Sequence, residues 1–272
     1  MGYRWLSTSS TDRGPRRRTN EDAVLELPEA GVWVVADGMG GHTRGDLASS
    51  AIVEAFDGIG RCRRLGELMA KARLRLHQAN ERIYHESRRL GAGTIMGSAA
   101  VVLLTCRDEY ACLWVGDSRL YRLRDGRLEQ LTRDHNLAQE LVERGEVSPD
   151  DAPQHPAARR ITRAVGAQPA VRIDETRGRL RDGDVFLLCS DGLPLEVRAE
   201  EIAEVLSEDE TPAARLVALA VERQARDNVS AAVVRIEETT ASAWEDESTT
   251  VQNPTLRVTT TGWQTQTTAT GL

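Results

Sequence analysis

Between residues 95 and 131 four strand-like segments follow one another with no helix among them, which excludes a strictly alternating βαβ chain and its parallel sheet. The segments are 95–106, 110–115, 119–123 and 127–131, and Arg124-Asp125-Gly126 supplies the turn between the last two. Short strands are also expected at 23–27 and 32–36, joined by Pro28-Glu29-Ala30-Gly31. Others fall at 171–178 and 185–189, around Asp182-Gly183, and a final one at 229–236. Helical periodicity appears at 46–56 and in the series Leu65, Leu68, Met69, Ala72, Leu76, Ala79 and Ile83, whose spacing marks a core-facing stripe. A helical pair is expected near 199–226, while 134–166 reads as helix and loop broken by Pro149, Pro153 and Pro156. Strands grouped in runs, with helices between the runs, predict an α+β sandwich of antiparallel sheets with helices outside.

A chain of 272 residues can bury a sizeable core without disulfide or metal staples. Its net charge of −7 argues against nucleic acid or an anionic membrane as partner, since both favour basic surfaces. The longest apolar run, 99–104, is too short to cross a bilayer. The opening Met-Gly-Tyr-Arg-Trp-Leu has no signal-peptide core, and Leu6 stands where N-myristoylation wants Ser or Thr. Cys62, Cys106, Cys112 and Cys189 show no CxxC spacing. A Cys106–Cys112 bridge is conceivable, but reduced thiols in a cytoplasmic protein are the expectation. From Glu237 the composition changes: twelve of the last 36 residues are Thr, with five acidic residues and one basic. Such a segment buries too little to offset its ordering entropy, so 1–236 is expected to fold and 237–272 to form a Thr-rich disordered tail.

Asp-Gly occurs at Asp37, Asp57, Asp125, Asp182 and Asp191. At Asp125 and Asp182 it reads as a hairpin turn, and at Asp57 as a helix stop. Asp37 and Asp191 differ because each closes a short apolar run, Val-Trp-Val-Val-Ala and Val-Phe-Leu-Leu-Cys-Ser. A carboxylate at the exit of a buried strand is costly unless something pairs with it, and no cationic residue is adjacent in sequence. A metal ion is the sensible partner. The loop Asp37-Gly38-Met39-Gly40-Gly41-His42 matches neither GxxxxGK[ST] nor GxGxxG, so a metal-bridged phosphate fits it better than a P-loop. Upstream, Arg16-Arg17-Arg18 precedes Glu21-Asp22, and an arginine held beside a metal cluster can fork onto phosphate oxygens. Asp117 and Asp227, taken singly, are ordinary turn residues. His77 and His85 read as helix-surface residues, and His135 and His155 as loop residues.

In order, the pieces Asp12-Arg13-Gly14, Arg17, Asn20-Glu21-Asp22, Val35-Ala36-Asp37-Gly38-Met39-Gly40-Gly41-His42, Met96-Gly97-Ser98, Val115-Gly116-Asp117-Ser118-Arg119, Cys189-Ser190-Asp191-Gly192-Leu193 and Arg226-Asp227-Asn228 resemble the motif series of the PP2C (PPM) metal-dependent protein Ser/Thr phosphatases, bacterial type. The span 134–166 is similar to the flap of the bacterial branch. The resemblance implies a four-layer α-β-β-α sandwich with two Mn²⁺ or Mg²⁺ ions at one end. It also implies that Asp37 bridges both ions, that the Gly38 carbonyl ligates one, and that Asp191 and Asp227 complete the other. Glu21 and Asp22 would hold metal-bound waters, Arg17 the substrate phosphate, and Asp117 with Asp191 a weaker third ion. Hard oxygen ligands suit Mg²⁺ or Mn²⁺ and not Zn²⁺.

The sequence departs from the family where Met39 replaces a His common in eukaryotic members, at Ser98-Ala99 and at Pro194-Leu195. The expected activity is hydrolysis of phosphoserine and phosphothreonine by a hydroxide bridging two divalent metals. Phosphoproteins would be its substrates and a cognate Ser/Thr kinase its counterpart, in the cytoplasm. The alternatives are a catalytically silent phosphoprotein-binding member and a small-molecule phosphomonoesterase.

Overall fold

The structure, a computed structural model, describes residues 2–40, 44–91, 96–149, 151–152 and 155–239, together with the backbone of 257–258. Its strands are β1 (Gly2–Asp12), β2 (Asp22–Leu27), β3 (Val32–Gly40), β4 (Met96–Cys106), β5 (Glu109–Val115), β6 (Arg119–Arg124), β7 (Arg127–Gln130), β8 (Asp174–Arg179), β9 (Val185–Cys189), β10 (Val229–Thr239) and the two-residue β11 (Arg257–Val258). Its helices are α1 (Gly45–Ala55), α2 (Leu65–Arg89), α3 (Leu137–Glu143), α4 (Ala199–Glu208) and α5 (Pro212–Glu222). One sheet has the order β1-β10-β9-β6-β7 and the other β11-β2-β3-β4-β5-β8. All the pairings between these strands are antiparallel.

Alternation of side chains along each strand divides the core into three layers. Val24, Trp33, Val35, Val101 and Leu103 of the second sheet meet Leu120, Phe186, Leu188, Val234 and Ile236 of the first between the sheets. The opposite face of the second sheet, including Val34, Val102 and Leu113, packs on α1 and α2. The opposite face of the first, with Leu187 and Val233, packs on α4 and α5. The fold is therefore the expected α+β sandwich with helices outside both sheets. The predicted stripe of α2, from Leu65 to Ile83, is buried throughout. At the β6–β7 turn Asp125 and Gly126 both take positive φ (51° and 74°), the conformation a two-residue hairpin loop requires.

Several elements differ from the sequence expectation, among them β11, which pairs Arg257 and Val258 of the expected tail with Glu26 and Leu25 of β2. β1 was not anticipated: its Ser/Thr-rich segment pairs over eleven residues with β10, yet alternates only between partial and full exposure. β8 begins at Asp174 and not at Val171, its ladder with β5 ending at the pair of Trp114 with Asp174. β10 continues to Thr239, three residues beyond the boundary read at Ile236, because Gly2, Tyr3 and Arg4 pair with Thr239, Glu238 and Glu237. Most of 237–272 lies outside the described residues, so the disordered-tail expectation does too. Cys106 and Cys112 are both free thiols. Among the described residues no helix is long and apolar enough to cross a membrane.

Candidate active site

Chain reversals from both sheets meet at one end of the sandwich. Register sets Asp22, the first residue of β2, opposite Asp37 of β3, and Asp37 opposite Ala99 of β4. Asp117 lies in the turn between β5 and β6, Asp191 two residues past β9, and Asp227 two residues before β10. Five aspartates from distant parts of the chain thus act on one another electrostatically. β3 does not end at Asp37, as the apolar run suggested, but pairs on through Gly40.

Asp22 is the anchor of the group and only 4% exposed. Its Oδ2 accepts from Ser190 Oγ (2.8 Å) and Ser230 Oγ (2.7 Å), while its Oδ1 has no partner. Asp117 Oδ1 and Asp191 Oδ1 are likewise buried and without a partner. Burial, then repulsion from the other aspartates, raises the Asp22 carboxyl to about 7 against two serine hydroxyls that pull it down. Burial and Asp227 lift Asp191 to about 6. Asp37 and Asp117 are pushed well above the usual carboxylate range, mainly by burial and then by neighbouring aspartates. Glu21 is also raised by burial.

The backbone around the carboxylates is tightly tied. Gly38 N–H donates to the Glu21 carbonyl (3.1 Å) and Gly45 N–H to Glu21 Oε1 (3.1 Å). A Cβ on Gly38 would fall 2.0 Å from the Gly45 carbonyl oxygen, so only glycine allows α1 to start this close to β3. Asn228 Oδ1 accepts from Glu21 N–H (2.8 Å), and its Nδ2 donates to the carbonyls of Arg13 (2.7 Å) and Thr19 (3.0 Å). The segment carrying Arg17 is thereby fixed against the start of β10. Arg17 Nη2 lies 2.5 Å from Asp227 Oδ2, half exposed to solvent.

Arg119 is the second cation near the cluster. It forks onto Asp134 (Nε to Oδ1 3.0 Å, Nη2 to Oδ2 2.8 Å) and donates to the Tyr121 hydroxyl (2.9 Å). Its charge pulls Asp191 down, against burial. The flap rests beside this end: Ser98 and Val165 form a β-bridge, and His135 Nδ1 accepts from Gly116 N–H (3.1 Å). His135 lies in the connection between β7 and α3, as expected of a loop residue, but it is buried there, and burial lowers its pKa. His77 and His85 are on the exposed face of α2, as expected. His42 lies outside the described residues.

Asp22, Asp37, Asp117, Asp191, Asp227, Glu21, Gly38 and Arg17 thus all stand at this end. Sequence reasoning assigned no role to Ser190, Ser230, Asn228 or Asp134. The sequence set Ser190 beside Asp191 and Asn228 beside Asp227, but nothing in it pointed to what these side chains or Ser230 and Asp134 hold. Three orphaned, buried carboxylate oxygens in a mutually repelling group are what a bound cation would satisfy. Among the described residues no three His, Cys, Asp or Glu side chains close into a cage of their own. The donors are oxygens, and incomplete protein coordination suits ions that keep several waters, as Mg²⁺ and Mn²⁺ do.

Comparison with known proteins adds an independent line. The family model described as Protein phosphatase 2C matches residues 16–236. The serine/threonine protein phosphatase PstP of Mycobacterium tuberculosis is 35% identical over 231 residues, which is 83% of this chain and 44% of that protein. The chain therefore spans less than half the length of that relative. Among solved structures, PppA, a key regulatory component of T6SS in Pseudomonas aeruginosa, is 42% identical with a TM-score of 0.79, covering 86% of this chain and 98% of that one. The catalytic domain of PstP in complex with two manganese ions is 32% identical with a TM-score of 0.74, covering 87% of this chain and all of that one.

Proposed function

This chain belongs to the protein phosphatase 2C family, and on that premise we propose that it hydrolyses phosphoserine and phosphothreonine esters of proteins with Mn²⁺ or Mg²⁺ held at the strand-end carboxylates. The observation that carries the proposal is the set of buried, partnerless oxygens on Asp22, Asp117 and Asp191 beside an arginine. Asp37, Asp191, Asp227 and the Gly38 carbonyl would hold two ions, and Asp117 with Asp191 a third. Glu21 and Asp22 would accept hydrogen bonds from waters on those ions. When bound, the ions supply Lewis-acid activation of water and neutralise charge on the phosphoryl oxygens.

The chain's own part is positioning. Ser190 and Ser230 fix the Asp22 carboxylate, and Asn228 fixes both Glu21 and the loop that carries Arg17. Arg17 pairs with Asp227 in this structure, and its half-exposed guanidinium would be the group that forks onto the substrate phosphate. Met39 has no proton to give, so the leaving oxygen is not protonated from that position. A Ser/Thr kinase that installs these phosphates is the counterpart the activity requires. Placement in the cytoplasm is supported by four free thiols, as a reducing compartment keeps them.

The test is phosphate release from phosphothreonine peptides and from small phosphomonoesters, with and without Mn²⁺. Mn²⁺-dependent turnover with kcat/KM higher on the peptides is expected. Equal or better turnover of one small phosphomonoester would point to a small-molecule hydrolase. Binding of phosphopeptide with no turnover would point to a silent member.

A further inference from the structure

Two thiols share a cleft at the end of the sandwich opposite the carboxylates. The cleft, about 960 Å³, is lined by Trp5, Arg61, Cys62, Arg63, Cys106 and Arg107 among others. Cys62 lies in the connection between α1 and α2, and Cys106 is the last residue of β4. The register that places Leu104 of β4 beside Val32 of β3 puts this end five residues of extended chain from Asp37, about 17 Å. Cys106 is 7% exposed and its thiol donates to the Cys62 carbonyl at 3.3 Å. Cys62 is half-buried, and its own sulfur sits 3.7 Å from the Gly60 carbonyl oxygen, a weak contact that is easily given up.

We propose that Cys62 and Cys106 are a redox pair that closes to a disulfide under hydrogen peroxide, with Cys62 turning its side chain from Gly60 toward Cys106. Cys62 is the sulfur open to solvent, so it meets the oxidant first. Its sulfur attacks one peroxide oxygen, the O–O bond breaks, and Cys62 sulfenic acid and one water are formed. The Cys106 sulfur then attacks the sulfenic sulfur, the S–O bond breaks, and the hydroxyl leaves with the Cys106 proton as a second water. Two thiols are oxidised by two electrons and one peroxide is reduced to two waters. The product ties the α1–α2 connection to the β4–β5 hairpin and leaves the carboxylate end untouched.

The other thiols provide the contrast. Cys112 faces the inter-sheet core opposite Leu103, not Cys106, and Cys189 is wholly buried. Burial pushes the Cys112 thiol up strongly, Cys189 to about 12 and Cys106 upward too, so what singles out Cys106 is its contact with Cys62 and their shared cleft.

The experiment treats the full folded chain with hydrogen peroxide, alkylates the remaining thiols under denaturation, and maps peptides without reductant. Expected are a Cys62–Cys106 linked peptide and loss of two of the four alkylatable thiols, both reversed by dithiothreitol. In Cys62→Ser, a change at the half-exposed partner that preserves the core, the link should vanish and Cys106 should stay alkylatable. The proposal is overturned if Cys62 is found as sulfinic acid with Cys106 still free, if another pair is linked, or if no thiol is lost.

Discussion

Asp22 uses its two oxygens differently: one takes two serine hydroxyls, and the other has no partner in a buried place. Its carboxyl, near 3.9 when unfolded, is raised by burial to about 7 in the fold. The folded state therefore binds this proton more tightly than the unfolded state. Ionisation opposes folding, and the loss grows as pH rises from about 4 to about 7, then levels off. In metal-free protein, the thermal midpoint of Asp22→Asn relative to the parent should therefore increase between pH 5 and pH 8. A difference that stays constant or shrinks would mean that burial does not govern this group. Arg17 carries a second prediction. Its proposed contact to substrate phosphate is charge-assisted, so Arg17→Ala should raise KM for a phosphopeptide by about tenfold or more. A smaller fall in kcat should accompany it, and Mn²⁺ affinity should not fall, because Arg17 competes with a cation for Asp227. If Arg16→Ala or Arg18→Ala had that effect instead, the register of this segment would be misassigned. Asp37 and Asp191 were legible in the sequence because each follows an apolar run. Ser190 and Ser230 were not, since the hydroxyls bond to a residue more than 160 positions away and no local pattern records that.

Among the elements, the strands with continuous apolar runs were readable: β4 is buried at all eleven positions and β9 at all five. β1 was not, because an edge strand with one face to solvent needs no apolar run, and Ser and Thr meet its partial burial equally well. What holds it is β10 across the full pairing and Trp5, whose indole N–H donates to the Pro28 carbonyl (2.7 Å). The residues of 134–166 read on their own only as a proline-broken stretch, and the resemblance alone marked it as a flap, because its ties to the core, the Ser98–Val165 bridge, His135 and one side chain on α2, join distant positions. Asn80, 1% exposed, accepts from Gly166 N–H (2.7 Å) and donates to the carbonyls of Gln168 (3.1 Å) and Pro169 (3.2 Å). Asn80→Ala strands these backbone groups at a cost of about 1–3 kcal/mol, which for a domain of this size lowers Tm by about 3–10 °C. Differential scanning calorimetry measures it. An unchanged midpoint would show that water or a neighbour replaces the amide.

For the whole molecule, the boundary of the folded unit is proposed to lie at Thr239 and not at Ile236. Glu237 pairs with Arg4 (2.6 Å), and Glu238 N–H donates to Asp182 Oδ1 (2.7 Å). Truncation after Thr239 should leave the thermal midpoint within about 2 °C of the full chain, whereas truncation after Ile236 should lower it further by about 3 °C or more. Equal midpoints would place the boundary back at Ile236. At this scale the sequence was most informative, because the grouping of strands and the helical stripe of α2 fix the layers before any side chain is placed. The site was legible only as far as its motifs; its depth, and hence its electrostatics, follows from both sheets closing over the same end. The central claim is that these carboxylates form a divalent-cation site that drives phosphoester hydrolysis. Its most direct measurement is phosphate release from a phosphothreonine peptide after chelation and Mn²⁺ back-titration, in the parent and in Asp37→Asn. The account predicts no turnover after chelation, recovery with Mn²⁺ in the parent, and a loss of more than about 100-fold in Asp37→Asn with the fold intact by circular dichroism. Turnover that survives chelation, or near-parental Mn²⁺-dependent activity in Asp37→Asn, would contradict it.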